Sequence, residues 1–331
     1  MMNNIQKSSL TYELASQNDA PELANLFHEF YPHLGWTERY LRWQYYENPI
    51  GSALVWVAKS AGKIIATYAA IPHQVYVNGT VCAGWRIQDV ITRPESRGLG
   101  IYHQLSKIAT EYFSNQKFSL CFTFPKEKTT SHNGFLRSGW ENVFRIPLNV
   151  STSGTLMRVQ KIRAQVSPIS SFEDNVDLIW KSYINRLNVS IWRSAHYLNW
   201  RYLTNPKVKY FPFRLTLDDD ELILILKYYD REDGTRWAHV CDLFQTGNNP
   251  DLTESAVQHW IHFALDFGCH SLSCWCPNGS MLSLALDRYQ FTQDIDQFWW
   301  VVIKTNSIPI ESKHFSDEKR WHLSMGDSDV F

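Results

Sequence analysis

Apolar residues change their period along the chain, and the changes mark elements. Asp19 followed by APELANLFHEFY reads as an N-cap and an amphipathic helix. After Pro49 the texture becomes that of strands: ALVWVA (53–58), KIIATYAAI (63–71) and HQVYVNG (73–79), with turns at Ala61-Gly62 and Asn78-Gly79. Asn-Gly is the stronger hairpin signal, since both residues tolerate positive φ. A further strand is predicted from about Gly84 to Thr92, and Ile101 to Asn115 has helical spacing. FSLCFTF (118–124) reads as a strand stopped by Pro125, and 128–138 as a short helix before Gly139-Trp140. Between 151 and 170 the periodicity weakens, as expected of a linker.

The second half repeats the first. Tyr40-Leu41-x-Trp43-x-Tyr45-x-x-Asn48-Pro49 returns 157 residues later as Tyr197-Leu198-x-Trp200-x-Tyr202-x-x-Asn205-Pro206. Gln88-Asp89-Val90 has its counterpart in Cys241-Asp242-Leu243, and Cys121-Phe-Thr-Phe-Pro125 in Cys274-Trp-Cys-Pro277. Matches at nearly one offset indicate two copies of one fold. The helical spacing of the Trp43 and Trp200 motifs favours core packing, and Asn-Pro stops each helix. The second copy has QTGNNPDLTE (245–254) where the first has TRPESRGLGI; Asp251, Thr253 and Glu254 read as ordinary helix-start residues.

At 331 residues, two domains are expected. The formal net charge of −1 argues against a generic nucleic-acid or anionic-membrane surface. No signal-like N-terminal run and no stretch of about 18 apolar residues is present. Cys274-Trp-Cys276 is the only close pair among six cysteines; strand alternation explains it better than a metal site. Free, buried thiols and a cytoplasmic setting are expected.

The stretch 92-TRPESRGLGIYHQLSK-107 sits between a strand and a helix. A helix N-terminus offers backbone N–H groups without intrahelical partners and a partial positive charge. Glycines there let an anion approach the backbone, and Arg97 adds a charge; a pyrophosphate suits residues 97–102, although Gly-x-Gly at such a junction is more often a plain tight turn. A dinucleotide fingerprint lacks its third glycine, because position 103 is His, and Gly-Lys-Ser/Thr is absent.

Val90-Ile91-Thr92-Arg93-Pro94-Glu95-Ser96-Arg97-Gly98-Leu99-Gly100-Ile101 resembles the coenzyme A signature of the GNAT acetyltransferase superfamily. Arg-Gly-x-Gly-Ile-aromatic, Phe124-Pro125, Gly139-Trp140 and the Tyr-Leu-x-Trp motif resemble a tandem-copy subgroup associated with surface-polysaccharide biosynthesis. The resemblance implies two α+β domains: 8–150 with the intact turn, and 171–331 degenerate. Each would be a mixed central sheet, an antiparallel meander with splayed parallel strands, flanked by helices. It implies acetyl-CoA or another acyl-CoA as co-substrate, no metal, and a small-molecule amine as acceptor, such as an amino sugar intermediate. Backbone groups of Val90, Ile91 and Thr92 would pair with the pantetheine arm, Arg97 fills the Arg/Gln position, and the amides of Gly98, Leu99, Gly100, Ile101 and Tyr102 would hold the pyrophosphate.

Two departures bear on the chemistry. Tyr102 replaces the last Gly/Ala of the signature, and Phe135 stands where many members place a tyrosine acid, so the thiolate would need another donor such as Tyr102. Asp89 is a candidate base acting through water, but Asp242 in the turnless copy favours a structural role. His103 is expected to face outward, His132 to lie on a surface loop, and Lys126 and Lys128 to be solvated. The competing readings are a non-catalytic acyl-CoA-binding protein and an aminoacyl-tRNA-dependent transferase of the tandem type. The near-neutral charge and the intact turn speak against the latter.

Overall fold

Ala61-Gly62 and Asn78-Gly79 hold positive φ at every position, 48° and 78° in the first pair and 45° and 89° in the second. Turns of that hand match the twist of the strands they join. Strand β2 (Leu54–Ser60) thereby pairs with β3 (Lys63–Val77), and β3 with β4 (Thr80–Thr92). The computed structural model describes residues 10–116, 119–152, 161–306 and 315–328.

The two strands expected at 63–71 and 73–79 are one. Strand β2 begins at Leu54, opposite Ala70, so at Pro72 that side of β3 is an edge, where a residue without N–H is tolerated. The N-terminal helix is α1 (Ala20–Phe30), but Asp19 does not cap it by side chain. Ser16 caps a short turn at 17–19 instead, and the Asp19 carboxylate accepts back from the Ser16 amide at 2.8 Å.

The remaining elements follow in the order α2 (Glu38–Tyr46), α3 (Ile101–Ser114), β5 (Ser119–Thr123), α4 (Thr130–Arg137) and β6 (Glu141–Thr152). Phe118, expected at the head of β5, lies outside the described residues. Then come β7 (Gln165–Pro168), α5 (Asn175–Ile184), β8 (Val189–Ile191), α6 (Ala195–Leu198), β9 (Phe211–Leu217), β10 (Asp220–Asp230), β11 (Arg236–Gln245), α7 (Pro250–Asp266), β12 (Ser271–Trp275), α8 (Met281–Leu286) and β13 (Thr292–Asn306). Strand β1 (Leu10–Leu14) pairs with β2. The expected linker holds the end of β6 and all of β7, which pairs with β9; residues 153–160 are outside the described set.

One mixed sheet runs β1-β2-β3-β4-β5-β13-β6-β12-β11-β10-β9-β7, with β8 on β3. From β2 to β9 this order is palindromic: β4 pairs β5 in parallel, as β11 pairs β12. The centre is an exchange, since β13 of the second repeat lies between β5 and β6 of the first, and β6 pairs with β12. Strand alternation separates the cores. Trp56, Ala58 and Tyr68 face α3, while Val55, Val57 and Ala69 face a core that both repeats share. In the second repeat Leu222, Leu224 and Leu226 face α7.

The repeated aromatic motif lies in α2 and in α6, which continues as a π turn at Asn199–Leu203. Trp43 and Trp200 are 2% and 6% exposed, so their helical spacing does report core packing. Asn48 and Asn205 each accept from the amide two residues on, at 3.0 and 2.9 Å, turning the chain at both helix ends. All six cysteines are free; Cys274 lies on β12, Cys276 just beyond it, and both are buried.

Candidate active site

Strands β4 and β5 pair only from Ala83–Ser119 to Arg86–Phe122 and then part. From Ile87 to Thr92, β4 therefore has no strand partner on its β5 side among the described residues. A register shift opposite Thr67–Ala69 puts a bulge at Asp89, whose φ is 51°. The second repeat has the same irregularity, between Ile225 and Leu226 on the strand facing Asp242.

Beyond β4 the chain makes a short turn at Pro94–Ser96, held to α1 by Arg93 on Glu29, and then enters α3. Gly98 and Gly100 have φ of 79° and 77° with nothing within 4 Å of where a Cβ would stand. Backbone conformation, not crowding, demands glycine here. Gly100 supplies no side-chain cap, and among the described residues no side chain accepts from the first amides of α3. They open onto a cleft of about 840 Å3. Of the residues expected to hold the cofactor, Val90, Ile91, Thr92, Arg97, Gly98, Gly100, Ile101 and Tyr102 line it. Leu99 does not; its side chain packs instead beside the core under α3.

Three contributions were not legible. Ser96 is 1% exposed, and its hydroxyl lines the cleft without a hydrogen-bond partner. Helix α4 forms the opposite wall through Ser131, Asn133 and Arg137, and Phe30 with Tyr31 closes one end. Ser96 lay within the quoted turn, but the α4 wall depends on how that helix packs. Arg97 donates Nε to the Thr92 carbonyl at 3.2 Å and forms no carboxylate pair among the described residues.

Helix α7 occupies the place of α3 in the second repeat, and its N-terminus is closed. Asn249 Oδ1 accepts from the Asp251 and Leu252 amides, both at 3.1 Å, and Pro250 removes another N–H. Asp220 sits against this cap, accepting from Asn249 Nδ2 and from the Thr246 hydroxyl at 3.0 Å each. Its carboxylate would repel a phosphate.

Tyr102 leans on α4, so a Cβ at Gly134 would lie 3.3 Å from its ring. Burial pushes the Tyr102 hydroxyl pKa up, only partly offset by Ser138 and Ser106, so it stays protonated at neutral pH. Phe135 meets Tyr102 edge-on at 6.4 Å and is buried under Trp140. Asp89 Oδ2 accepts from Gln44 Nε2 (2.9 Å), Tyr45 OH (2.6 Å) and Gln88 Nε2 (2.9 Å). The Tyr202 hydroxyl meets Asp242 Oδ2 in the same way at 3.0 Å, so the pair belongs to the repeat and not to the turn.

The remaining candidates disperse. His103 is exposed at the cleft mouth. His132 is on α4 and not on a surface loop: 6% exposed, it stacks on Trp300 and bonds Asn142 Oδ1 at 2.9 Å. Lys126 and Lys128 are exposed and do not line the cleft.

Residues 11–143 match the family model described as acetyltransferase (GNAT) domain. Solved structures extend the likeness over both repeats. A GCN5-related N-acetyltransferase from Anabaena variabilis has a TM-score of 0.64 at 17% identity, over 88% of this chain and 72% of that one. A conserved protein from Enterococcus faecalis, described as a probable N-acyltransferase, has 0.64 at 13%, over 93% and 74%. Saccharomyces cerevisiae N-myristoyltransferase with bound myristoyl-CoA has 0.63 at 12%, over 92% and 81%. At such identities the likeness is one of fold. No curated protein sequence matches the chain significantly. Among the described residues no helix is long and apolar enough to cross a membrane.

Proposed function

We propose that the chain is an acyl-CoA-dependent N-acyltransferase that takes acetyl-CoA as donor and a small-molecule amine as acceptor. The observation that carries this reading is the contrast between two equivalent helix ends: α3 opens through Gly98 and Gly100 onto a cleft, whereas α7 is sealed by Asn249. The amides of Gly98 to Tyr102 hold the pyrophosphate, with Arg97 and Arg137 adding charge. The free side of β4 at Val90–Thr92 pairs with the pantetheine amides, which lays the thioester near the Asp89 bulge.

The acceptor amine, after losing a proton to solvent, attacks the thioester carbonyl. The N–C bond forms, the nitrogen gives a second proton to solvent, the C–S bond breaks, and the thiolate leaves with a proton from Tyr102, which solvent restores. Overall an ammonium and an acyl-CoA give an amide, a free thiol and one proton. Asp89 holds the bulge through Tyr45 and Gln44, so it positions the strand.

Titration calorimetry with acetyl-CoA tests the donor site. One site per chain is expected, abolished by Gly98→Asp or Gly100→Asp; a folded wild type that binds no acyl-CoA ends this reading. A non-catalytic acyl-CoA-binding protein is the second reading, favoured by the buried Phe135 at the acid position. Thiol release in the presence of amino sugars, nucleotide-linked amino sugars or polyamines decides between them, since turnover with any amine excludes a mere binder.

A further inference from the structure

A second cavity, of about 650 Å3, opens where the two repeats meet. Its lining includes Tyr40, Trp43 and Gln44 of α2, Trp200 of the π turn, Arg86 of β4 and Lys227 of β10. Lys227 is 6% exposed, and its ammonium has neither a hydrogen bond nor a carboxylate among the described residues. Arg86, 5% exposed, donates Nη1 to the Asp327 carbonyl at 2.5 Å, and among the described residues its buried Nε has no partner and no carboxylate pairs with it. Arg201 and Lys207 add two further cations to the lining. The acidic lining residues Asp230, Glu232 and Asp233 are exposed at the rim, where Arg231 pairs with Asp233 and His33 faces Glu232. Burial pulls the Lys227 pKa down to about 8, and the nearby Cys241 thiol, itself pushed up to about 11, supplies no counter-charge at neutral pH. Lys227 and Arg86, buried without a carboxylate partner among the described residues, are costly, and an incoming anion offsets that cost.

One hydrogen bond links the cavity lining to the strand that lines the proposed donor site. Gln44 lines the cavity and donates to Asp89 at 2.9 Å, and the next residue, Val90, lines the donor cleft. We infer that this cavity is the acceptor pocket and that it selects amines carrying a carboxylate or phosphate, held by Lys227 and Arg86 against the Trp43–Trp200 stack. The inference rests on the acyl-transfer reading above.

Calorimetry with phenyl phosphate, phenylacetate and benzyl alcohol tests it on the full chain. Saturable binding of at least one anion is expected, with benzyl alcohol at least about tenfold weaker. The two anions separate phosphate from carboxylate as the preferred group. Lys227→Met and Arg86→Gln should each weaken the anion about tenfold or more and leave acetyl-CoA binding unchanged. Neither anion binding, benzyl alcohol binding as tightly, or an undiminished Lys227→Met would each overturn the inference; the wild-type comparison decides alone if the variants do not fold. In thiol release, O-phosphoethanolamine or 4-aminobutyrate should exceed spermidine, and the reverse order also overturns it. The two readings fail separately. Loss of acyl-CoA binding with anion binding intact removes the donor site, whereas acetyl-CoA binding and spermidine turnover without anion binding removes only the acceptor assignment.

Discussion

Trp43 and Trp200, equivalent residues of the two repeats, stack on one another with centroids 4.8 Å apart and planes 20° apart. Each indole also donates into the other repeat: Trp200 Nε1 to the Trp43 carbonyl at 3.2 Å, and Trp43 Nε1 to the Thr204 hydroxyl at 3.1 Å. Either residue changed to Ala should cost about 3–5 kcal/mol in urea unfolding. The double variant should show a coupling of about 0.5–1.5 kcal/mol from the stack itself. Strictly additive losses would mean that the stack fills space without joining the repeats.

The contrasting helix ends predict opposite sensitivities. Asn249→Ala removes a cap with two amide bonds and should cost about 1 kcal/mol of stability without changing acetyl-CoA affinity. Gly100→Ala meets open space, so its cost is backbone strain at φ 77°, about 1–2 kcal/mol. Acetyl-CoA affinity should fall with it, because the turn that presents the amides shifts. Calorimetry and denaturant titration on both variants separate the effects.

Lys227 sets binding against stability. Its folded pKa, near 8, is below the unfolded value of about 10.4, so the unfolded chain holds the proton more tightly between those limits. This group's contribution to stability therefore rises as pH climbs from about 8 to about 10. Lys227→Met should remove that rise and stabilise the protein at pH 7 by roughly 1–3 kcal/mol. A less stable Met variant would show that the ammonium has a favourable partner.

Asp242 works in the opposite sense. Burial opposes its charge, but the Arg193 guanidinium at 3.0 Å and His322 Nε2 at 2.8 Å hold its carboxyl well below the usual range. The stabilisation is complete above the unfolded pKa of about 3.9 and is lost as pH falls below that value towards the folded one. Asp242→Asn should cost about 3–5 kcal/mol at pH 7, by leaving Arg193 with a weaker partner, and should flatten the acid limb of a stability–pH curve below about pH 4.

Tyr102→Phe keeps the ring that rests on Gly134 and deletes the proposed proton donor. Acetyl-CoA affinity should hold while kcat falls about 100-fold or more. An unchanged kcat would assign the proton to water.

Local features were the ones that could be read from the chain. The turns at Ala61-Gly62 and Asn78-Gly79, and the passage from strand through Gly-x-Gly to helix, depend on neighbours in sequence. The aromatic repeat was legible as well, because an offset needs no structure. What stayed hidden depends on distance. Nothing in 119–123 announces that its partner is 292–306, and nothing in α4 announces that Asn133 and Arg137 will face Gly98. Lys227 left a trace, a cation ending the apolar run LILIL, but its burial follows only when the second repeat closes on the first.

The placement of β13 between β5 and β6 also governs how the molecule comes into being. A chain emerging from the ribosome completes the donor turn early, yet the strand that shields β5 is synthesised only after residue 291. Until then β5 presents a bare edge, and pairing across so long a loop is slow. Cut near residue 155, the chain should yield two fragments that gain a stable sheet only as a complementing pair, each lending the other its central strand.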